Sequence, residues 1–415
     1  MRRRFLLSAV PLLLGMGAGA LPAPAASASV APATAATGAA AAADFYRPPS
    51  PLPAGAPGAL IRSRRTTVSL GPGAPPVKAW TVMYHSRTTT GRDVAMTGTV
   101  LTPTTPWTGT GPRPVDAFAV GTQGPGPQCA PSKQLVTGSE YENPNINQAL
   151  NKGWAVAVTD YEGYTTGATP TYVTGRSEAH AVLDSVRAAQ NLPGSGVAKA
   201  APLTIWGYSQ GGGASAWATV LQPSYAPELK FKGDASGGVP ADSRAVGQAL
   251  NGNAGAAFLM YSLAGFAAAY PQQVPLYANL NPAGKAAFAA VATQCSTDSL
   301  AMYAFKDLSQ YFQNMTVTQF GDIPSVAQVE AANTITTKAV VPKVPVFQYH
   351  GAADEIVPLA QARTLHTTWC ANRATTVFQA FPGEHLTTNS EASPVAVQFL
   401  ADRLAGTPVI GSCLT

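Results

Sequence analysis

The chain has 415 residues, of which 46% are hydrophobic and 11% charged, with a formal net charge of +5. That balance excludes a disordered or highly charged chain and allows one large domain with an insertion, or two domains. Removing Arg2, Arg3 and Arg4 leaves 23 basic against 21 acidic side chains, and no basic face interleaved with aromatics points to nucleic acid.

The first residues read as an export signal. Arg2 to Arg4 form a positive start, residues 5–21 are apolar, and Ala26-Ser27-Ala28 supplies the small residues of a cleavage site. Gly15, Gly17, Gly19 and Pro22 disfavour the alternative, a spanning helix. Arg2-Arg3-x-Phe5-Leu6 is also similar to a twin-arginine signal. A signal over 1–28, removed on secretion, is therefore expected. Residues 29–43 are of low complexity, rich in Ala and Pro, and cannot bury a core. Order is expected to begin near Asp44-Phe45-Tyr46, followed by an extended arm carrying Pro48, Pro49, Pro51, Pro53 and Pro57.

Residues 77–85 and 94–101 read as a hairpin about Thr90-Gly91. Residues 115–120 and 154–159 are short apolar runs, as in strands buried on both faces, with a short helix over 145–151 between them. A helix over 177–191 buries Ala181, Leu183, Val186 and Ala189 and stops at Pro193-Gly194. A strand over 203–207 leads directly into a helix over 210–221. Later strands at 345–350 and 376–381 are each followed by a helix, over 359–370 and 394–404. Alternating strands and helices predict an α/β fold with a mainly parallel central sheet. Residues 241–335 interrupt the rhythm: they are Ala-rich and helical in pattern, and 256–270 is apolar nearly all round. They are expected to form a helical cap inserted between a first part of the core, 44–240, and a second, 336–415. The alternative is a set of ordinary packing helices.

Gly207-Tyr208-Ser209-Gln210-Gly211 matches G-x-S-x-G between a strand and a helix. That context is a nucleophile elbow of the α/β-hydrolase fold. A Cβ at 207 or 211 would collide with neighbouring backbone, and the helix beginning at 210 favours negative charge near Ser209. A serine hydroxyl needs a base, and in this fold the acid and then the histidine follow it in the chain. His85 and His180 come too early. His350 ends a strand and precedes the acid; His366 lies within a helix. His385, in a loop after strand 376–381, is the base expected to reach Ser209. Asp354, in His350-Gly351-x-x-Asp354-x-x-Val357-Pro358, is the expected acid, preferred to its neighbour Glu355. Asp160 precedes the serine and is given a structural or substrate-side role. The oxyanion needs two backbone N–H donors: one from Gln210, the other from Gln123 or Gly124 in the loop Gly121-Thr122-Gln123-Gly124. An even number of cysteines in an exported chain suggests disulfides. Cys129, Cys295, Cys370 and Cys413 allow three pairings. Cys129–Cys295 with Cys370–Cys413 is favoured, the second fastening the tail to a helix.

In order, these pieces resemble the secretory lipase family, which includes fungal lipase A-type enzymes and many actinobacterial secreted lipases. The matching segments are Asp44-Phe45-Tyr46-x-Pro48-Pro49 with Pro57-Gly58-x-x-Ile61-Arg62-Ser63 as an N-terminal arm, Gly121–Gly124 with Cys129-Ala130-Pro131-Ser132, Asp160-Tyr161-Glu162-Gly163, Gly207–Gly211, residues 350–358 and Gly383-Glu384-His385. The resemblance implies a cap over an apolar acyl pocket. It also implies hydrolysis of carboxylic esters, triacylglycerols included, with no metal or organic cofactor. The expected partner is a lipid or small ester, met by a monomer in transient contact with a lipid surface. Three readings compete: a short-chain or aryl esterase, a secreted peptidase, and a non-catalytic binding protein on the same fold. The peptidase lacks a polar specificity cluster, and the binding protein is disfavoured by the complete triad.

Overall fold

The computed structural model describes residues 44–338 and 340–413; the expected export signal and low-complexity segment lie outside the described residues. Among the described residues nine strands form one sheet: β1 (Leu60–Thr66), β2 (Val77–Arg87), β3 (Asp93–Pro103), β4 (Val115–Ala119), β5 (Ala155–Thr159), β6 (Leu203–Tyr208), β7 (Phe231–Gly237), β8 (Val346–Gly351) and β9 (Thr376–Phe381). Their order is β1-β2-β3-β5-β4-β6-β7-β8-β9. The pairs β1/β2, β2/β3 and β3/β5 are antiparallel, and every pair from β5/β4 to β8/β9 is parallel.

Every residue of β4, β5 and β6 is buried, as in strands covered on both faces. The cover comes from α1 (Pro131–Thr137), α2 (Asn143–Asn151), α3 (Gly175–Asn191) and α4 (Gln210–Tyr225), then from α12 (Leu359–Ala371) and α13 (His385–Leu404). Helices α3 and α4 pack on each other and on the sheet, and so do α2 and α13.

The sequence pattern misplaces three elements. Strand β7 has no apolar run because it packs by closeness: a Cβ on Gly233 would lie 2.5 Å from Arg403 Cγ, and one on Gly237 2.1 Å from the Tyr349 ring. Strand β1, read as part of the extended arm, is a partly exposed edge strand paired only with β2. Helix α13 begins at His385, nine residues before Pro394, and carries that proline inside it. Pro394 has no N–H for the Ser390 carbonyl one turn back. The Ser393 hydroxyl donates to that carbonyl instead, at 3.0 Å.

Between β7 and β8 lie α5 (Ser243–Leu250), α6 (Ala256–Ala269), α7 (Leu276–Asn279), α8 (Pro282–Val291), α9 (Ser296–Tyr303), α10 (Val317–Gly321) and α11 (Pro324–Ala332). They bury an apolar cluster of their own, including Met260, Phe266, Leu276, Phe288 and Phe320, which Ile356 and Val357 join from the loop after β8. Cys129–Cys295 links the segment after β4 to the start of α9, and Cys370–Cys413 links α12 to the tail. The tail runs beside β9: the Ser412 N–H donates to the Thr376 carbonyl, and the Phe378 N–H to the Ser412 hydroxyl, each at 2.9 Å. Among the described residues no helix is long and apolar enough to cross a membrane.

Candidate active site

Ser209 stands between the end of β6 and the start of α4 with φ +59° and ψ −121°, left-handed backbone that an L residue rarely adopts. Three glycines make the turn possible. A Cβ on Gly207 would sit 2.2 Å from the Gly211 carbonyl oxygen, one on Gly211 1.9 Å from that of Ala119, and one on Gly212 1.9 Å from that of Gly237. The helix therefore approaches β4 and β7 closely enough that only hydrogen fits. Its N-terminus lies at the Ser209 hydroxyl and favours negative charge there.

The three residues that sequence order selects meet here. His385 Nε2 is 2.9 Å from Ser209 Oγ, and its Nδ1 is 2.7 Å from Asp354 Oδ2. His385 is not on a mobile loop. It is the first residue of α13, is buried, and its carbonyl accepts from the Tyr208 hydroxyl at 2.7 Å. Glu384 caps the helix through the N–H groups of Leu386 and Thr387.

Asp354 has both carboxylate oxygens engaged. Oδ1 accepts from the N–H groups of Ile356 (3.0 Å) and Val357 (2.7 Å), while Oδ2 faces His385. Burial alone would raise its pKa. The His385 hydrogen bond, the charges of His385 and His350, and the Val357 N–H outweigh burial and hold it below the usual carboxylate value. The resulting anion fixes the imidazole with Nδ1 as donor and Nε2 free to accept the serine proton.

The other candidates fall elsewhere. Glu355 accepts from the His385 backbone N–H at 3.2 Å. Asp160 is buried and receives the Ser132 N–H (2.7 Å) and the Thr97 hydroxyl (2.6 Å), a structural role. His350 donates to the Val357 carbonyl at 2.7 Å beneath Asp354, and His366 packs beside Gln348. His85 pairs with Asp93, and His180 contacts the Arg87 carbonyl.

Gln210 opens α4, so its N–H has no carbonyl one turn back. Its side chain donates to Glu178 Oε1 at 2.7 Å, and that oxygen also accepts from the Val173 N–H at 2.9 Å. In the loop after β4, the Gly121 N–H is taken by Glu142, and the Gln123 amide donates to Glu140 at 3.0 Å. Gln123 and Gly124 do not line the cavity that opens on Ser209; Gly124 lines the neighbouring one. Sequence reasoning overlooks Glu178, Glu140 and Glu142. A signal exists for Glu178: it lies three residues before Ala181 on the buried face of its helix, where a carboxyl needs a reason.

These buried carboxyls carry a pH signature. Burial pushes Glu178, and in the sheet Asp116 and Asp234, up to about 7, and it raises Glu140 and Glu142 as well. A carboxyl raised on folding contributes fully below its unfolded pKa and loses that contribution as pH climbs to its folded pKa. The window therefore runs from about pH 4 to about pH 7. Asp354 acts oppositely, its contribution disappearing as pH falls through its lowered value. Burial also raises Asp160, Glu162, Asp184 and Glu330, and it lowers His180, His350 and His366, whose contribution is instead lost as pH falls. The raised carboxyls outnumber the histidines between pH 5 and pH 8 and predict a higher melting temperature near pH 5 than near pH 8. A calorimetric midpoint that instead rises over this interval would contradict the assignment.

The cavity at Ser209 encloses about 800 Å³, part of it open to solvent. Trp217, Leu259, Leu263, Phe266 and Ile356 give it apolar walls, with Glu178 and Gln210 at the nucleophile end. An apolar concavity ending in a serine–histidine–aspartate chain suits an apolar acyl group whose carbonyl must reach Ser209.

The chain is similar to known proteins in sequence and in fold. Residues 130–412 match the family described as secretory lipase. Lipase 5 of Candida albicans is 29% identical over 388 residues, covering 89% of this chain and 82% of that protein. A protein of Malassezia globosa named as a secreted triacylglycerol lipase is 30% identical over 381 residues, covering 87% and 79%. The closed state of Candida antarctica lipase A superposes with a TM-score of 0.81 at 27% identity, over 89% of this chain and 87% of its own.

Proposed function

Because this chain belongs to the secretory lipase family, with the α/β-hydrolase fold, we propose that it is a serine hydrolase that cleaves carboxylic esters of apolar acids, triacylglycerols among them, outside the cell. The observation that carries the reading is the unbroken chain from Asp354 through His385 to Ser209, at 2.7 and 2.9 Å, at the end of an apolar cavity.

The chemistry follows from the atoms. Ser209 Oγ attacks the ester carbonyl carbon while His385 Nε2 takes its proton. The carbonyl oxygen becomes an anion, met by the Gln210 N–H, by a second N–H from Gln123 or Gly124, and by the positive end of α4. Imidazolium then protonates the departing alkoxide, leaving an acyl-enzyme. Water, deprotonated by the same imidazole, releases the acid and restores Ser209. Every role is filled by a side chain or backbone group of one copy, so the scheme needs no partner subunit. The helices from α5 to α11 act as a cap whose α5 and α6 wall the acyl site. The segment 1–28 directs export and is removed, consistent with two disulfides.

The test is hydrolysis of a chain-length series of p-nitrophenyl esters and of emulsified triacylglycerol by the purified protein. Turnover of long-chain esters and of the emulsion is expected. Activity confined to short chains would make it an esterase with a shallow site. No hydrolysis at all would overturn the proposal.

A further inference from the structure

Helix α6 is apolar on every side because its sides meet different cavities. Leu259, Leu263 and Phe266 face the space at Ser209. Tyr261 and Ala264, turned elsewhere on the helix, face a second cavity of about 740 Å³, part of it open to solvent. Its walls include Tyr164, Tyr172, Tyr277 and Phe288, and it meets the loop after β4 at Gly124. Tyr172 lines both spaces. Its ring stands edge-on to Tyr261 at 5.7 Å, and its hydroxyl pairs with Thr122 Oγ at 2.7 Å. The two cavities therefore adjoin at a tyrosine fastened to loop 121–124, which follows β4.

The second space is held open by fixed walls. The Tyr164 hydroxyl donates to the Gly124 carbonyl at 2.7 Å. Gly124 has φ +102°, and a Cβ there would lie 2.6 Å from Cys295 Cα. The Ser296 N–H donates to the Gln123 carbonyl at 2.9 Å, and Cys129–Cys295 clamps the same corner. Apolar surface facing water is unfavourable, so a fixed apolar concavity next to a reacting centre suits an apolar ligand. Among the described residues no charged side chain lines this cavity, whereas Glu178 and Glu330 line the first. The hydroxyls of Tyr164 and Tyr172 are already engaged, so these walls are mostly ring faces and aliphatic carbon, with the hydroxyls of Thr169, Tyr261 and Tyr277 as the side-chain polar points. Tyr277, 53% exposed, leaves a way in from the surface.

We infer that the second cavity is a substrate subsite that holds a hydrocarbon chain other than the one being cleaved, as in an ester carrying two or more chains. The inference rests on the ester-hydrolase reading above. With the carbonyl held between Ser209 and loop 121–124, the acyl chain enters the first cavity. The rest of the substrate, led along the loop past Gly124, reaches the second.

Ala264→Trp and, separately, Val291→Trp would fill the space from two different elements. Trioctanoylglycerol and methyl octanoate share one acyl group but differ in chain number. In both variants the ratio of kcat/KM for the three-chain to the one-chain ester is expected to fall by about ten-fold or more relative to wild type. On wild-type protein, a phosphonate ester bearing a second alkyl chain should inactivate Ser209 about ten-fold faster than its one-chain counterpart, a test independent of how the variants fold. An unchanged ratio together with equal inactivation rates would overturn the subsite. So would a shortened chain-length optimum for one-chain esters at constant ratio, because the cavity would then take the end of the cleaved chain. Wild type inert toward both esters would instead remove the hydrolase reading, and the subsite with it.

Discussion

Ser209→Ala is expected to lower kcat on p-nitrophenyl esters by about 10⁴-fold or more while leaving the melting temperature nearly unchanged. Ser209 is partly buried, and its hydroxyl hydrogen-bonds to His385, so removing it deletes the nucleophile without opening the core. Alanine keeps the Cβ, so the left-handed backbone at φ +59° is neither relieved nor worsened. Asp354→Asn should be nearly as severe. Asn can offer the Ile356 and Val357 N–H groups an oxygen, but it cannot then present a second acceptor to His385 Nδ1, and the imidazole tautomer is lost. Because the residues act as one unit, the double variant Ser209→Ala/Asp354→Asn should be no slower than the worse single one. Steady-state kcat of the three variants on a p-nitrophenyl ester measures this directly. Multiplicative losses would show that Asp354 acts outside the serine pathway, and a Ser209→Ala protein with full turnover would end the assignment of the nucleophile.

Gly211→Ala is expected to abolish most activity and to destabilise the fold by about 3 kcal/mol or more. Its Cβ would lie 1.9 Å from the Ala119 carbonyl oxygen. That oxygen cannot withdraw, because Ala119 ends β4, which is held between β5 and β6. The strain must pass into α4 and shift Ser209 away from His385. Gly247→Ala is the matching control for stability. Its Cβ would meet Leu259 at 3.5 Å, an ordinary contact, and a helical alanine has lower backbone entropy to lose. Thermal denaturation of both variants separates the cases. Equal midpoints for Gly211→Ala and wild type would mean that the elbow is not so tightly packed.

The same closeness explains what could be read from residues alone. A turn that admits only hydrogen at 207 and 211 must write glycine there, so the elbow shows in the sequence, and chain order then points to Asp354 and His385. Strand β7 stays hidden for the converse reason: close approach at Gly233 and Gly237 replaces the apolar run by which buried strands are recognised. The position of His385 on a helix is masked by Pro394, whose missing hydrogen bond is made good locally by Ser393. The links from Gln210 to Glu178 and from Thr122 to Tyr172 join residues 32 and 50 positions apart. No local pattern reports such a pair. The choice between Gln123 and Gly124 as donor depends on backbone direction, which side-chain chemistry does not encode.

The tail fastened by Cys370–Cys413 bears on how the molecule behaves in a crowd. Strand β9 ends the sheet, and an unpaired strand edge is a template for another chain. The Thr376 carbonyl and the Phe378 N–H, on which an incoming strand would dock, are occupied by Ser412. The disulfide holds that occupant in place with a covalent bond one residue away. Cys413 is exposed whereas Cys129 is fully buried, so mild reduction reaches the tail first and frees the guard while the Cys129–Cys295 clamp and Ser209 stay in place; loss of solubility then precedes loss of the catalytic arrangement.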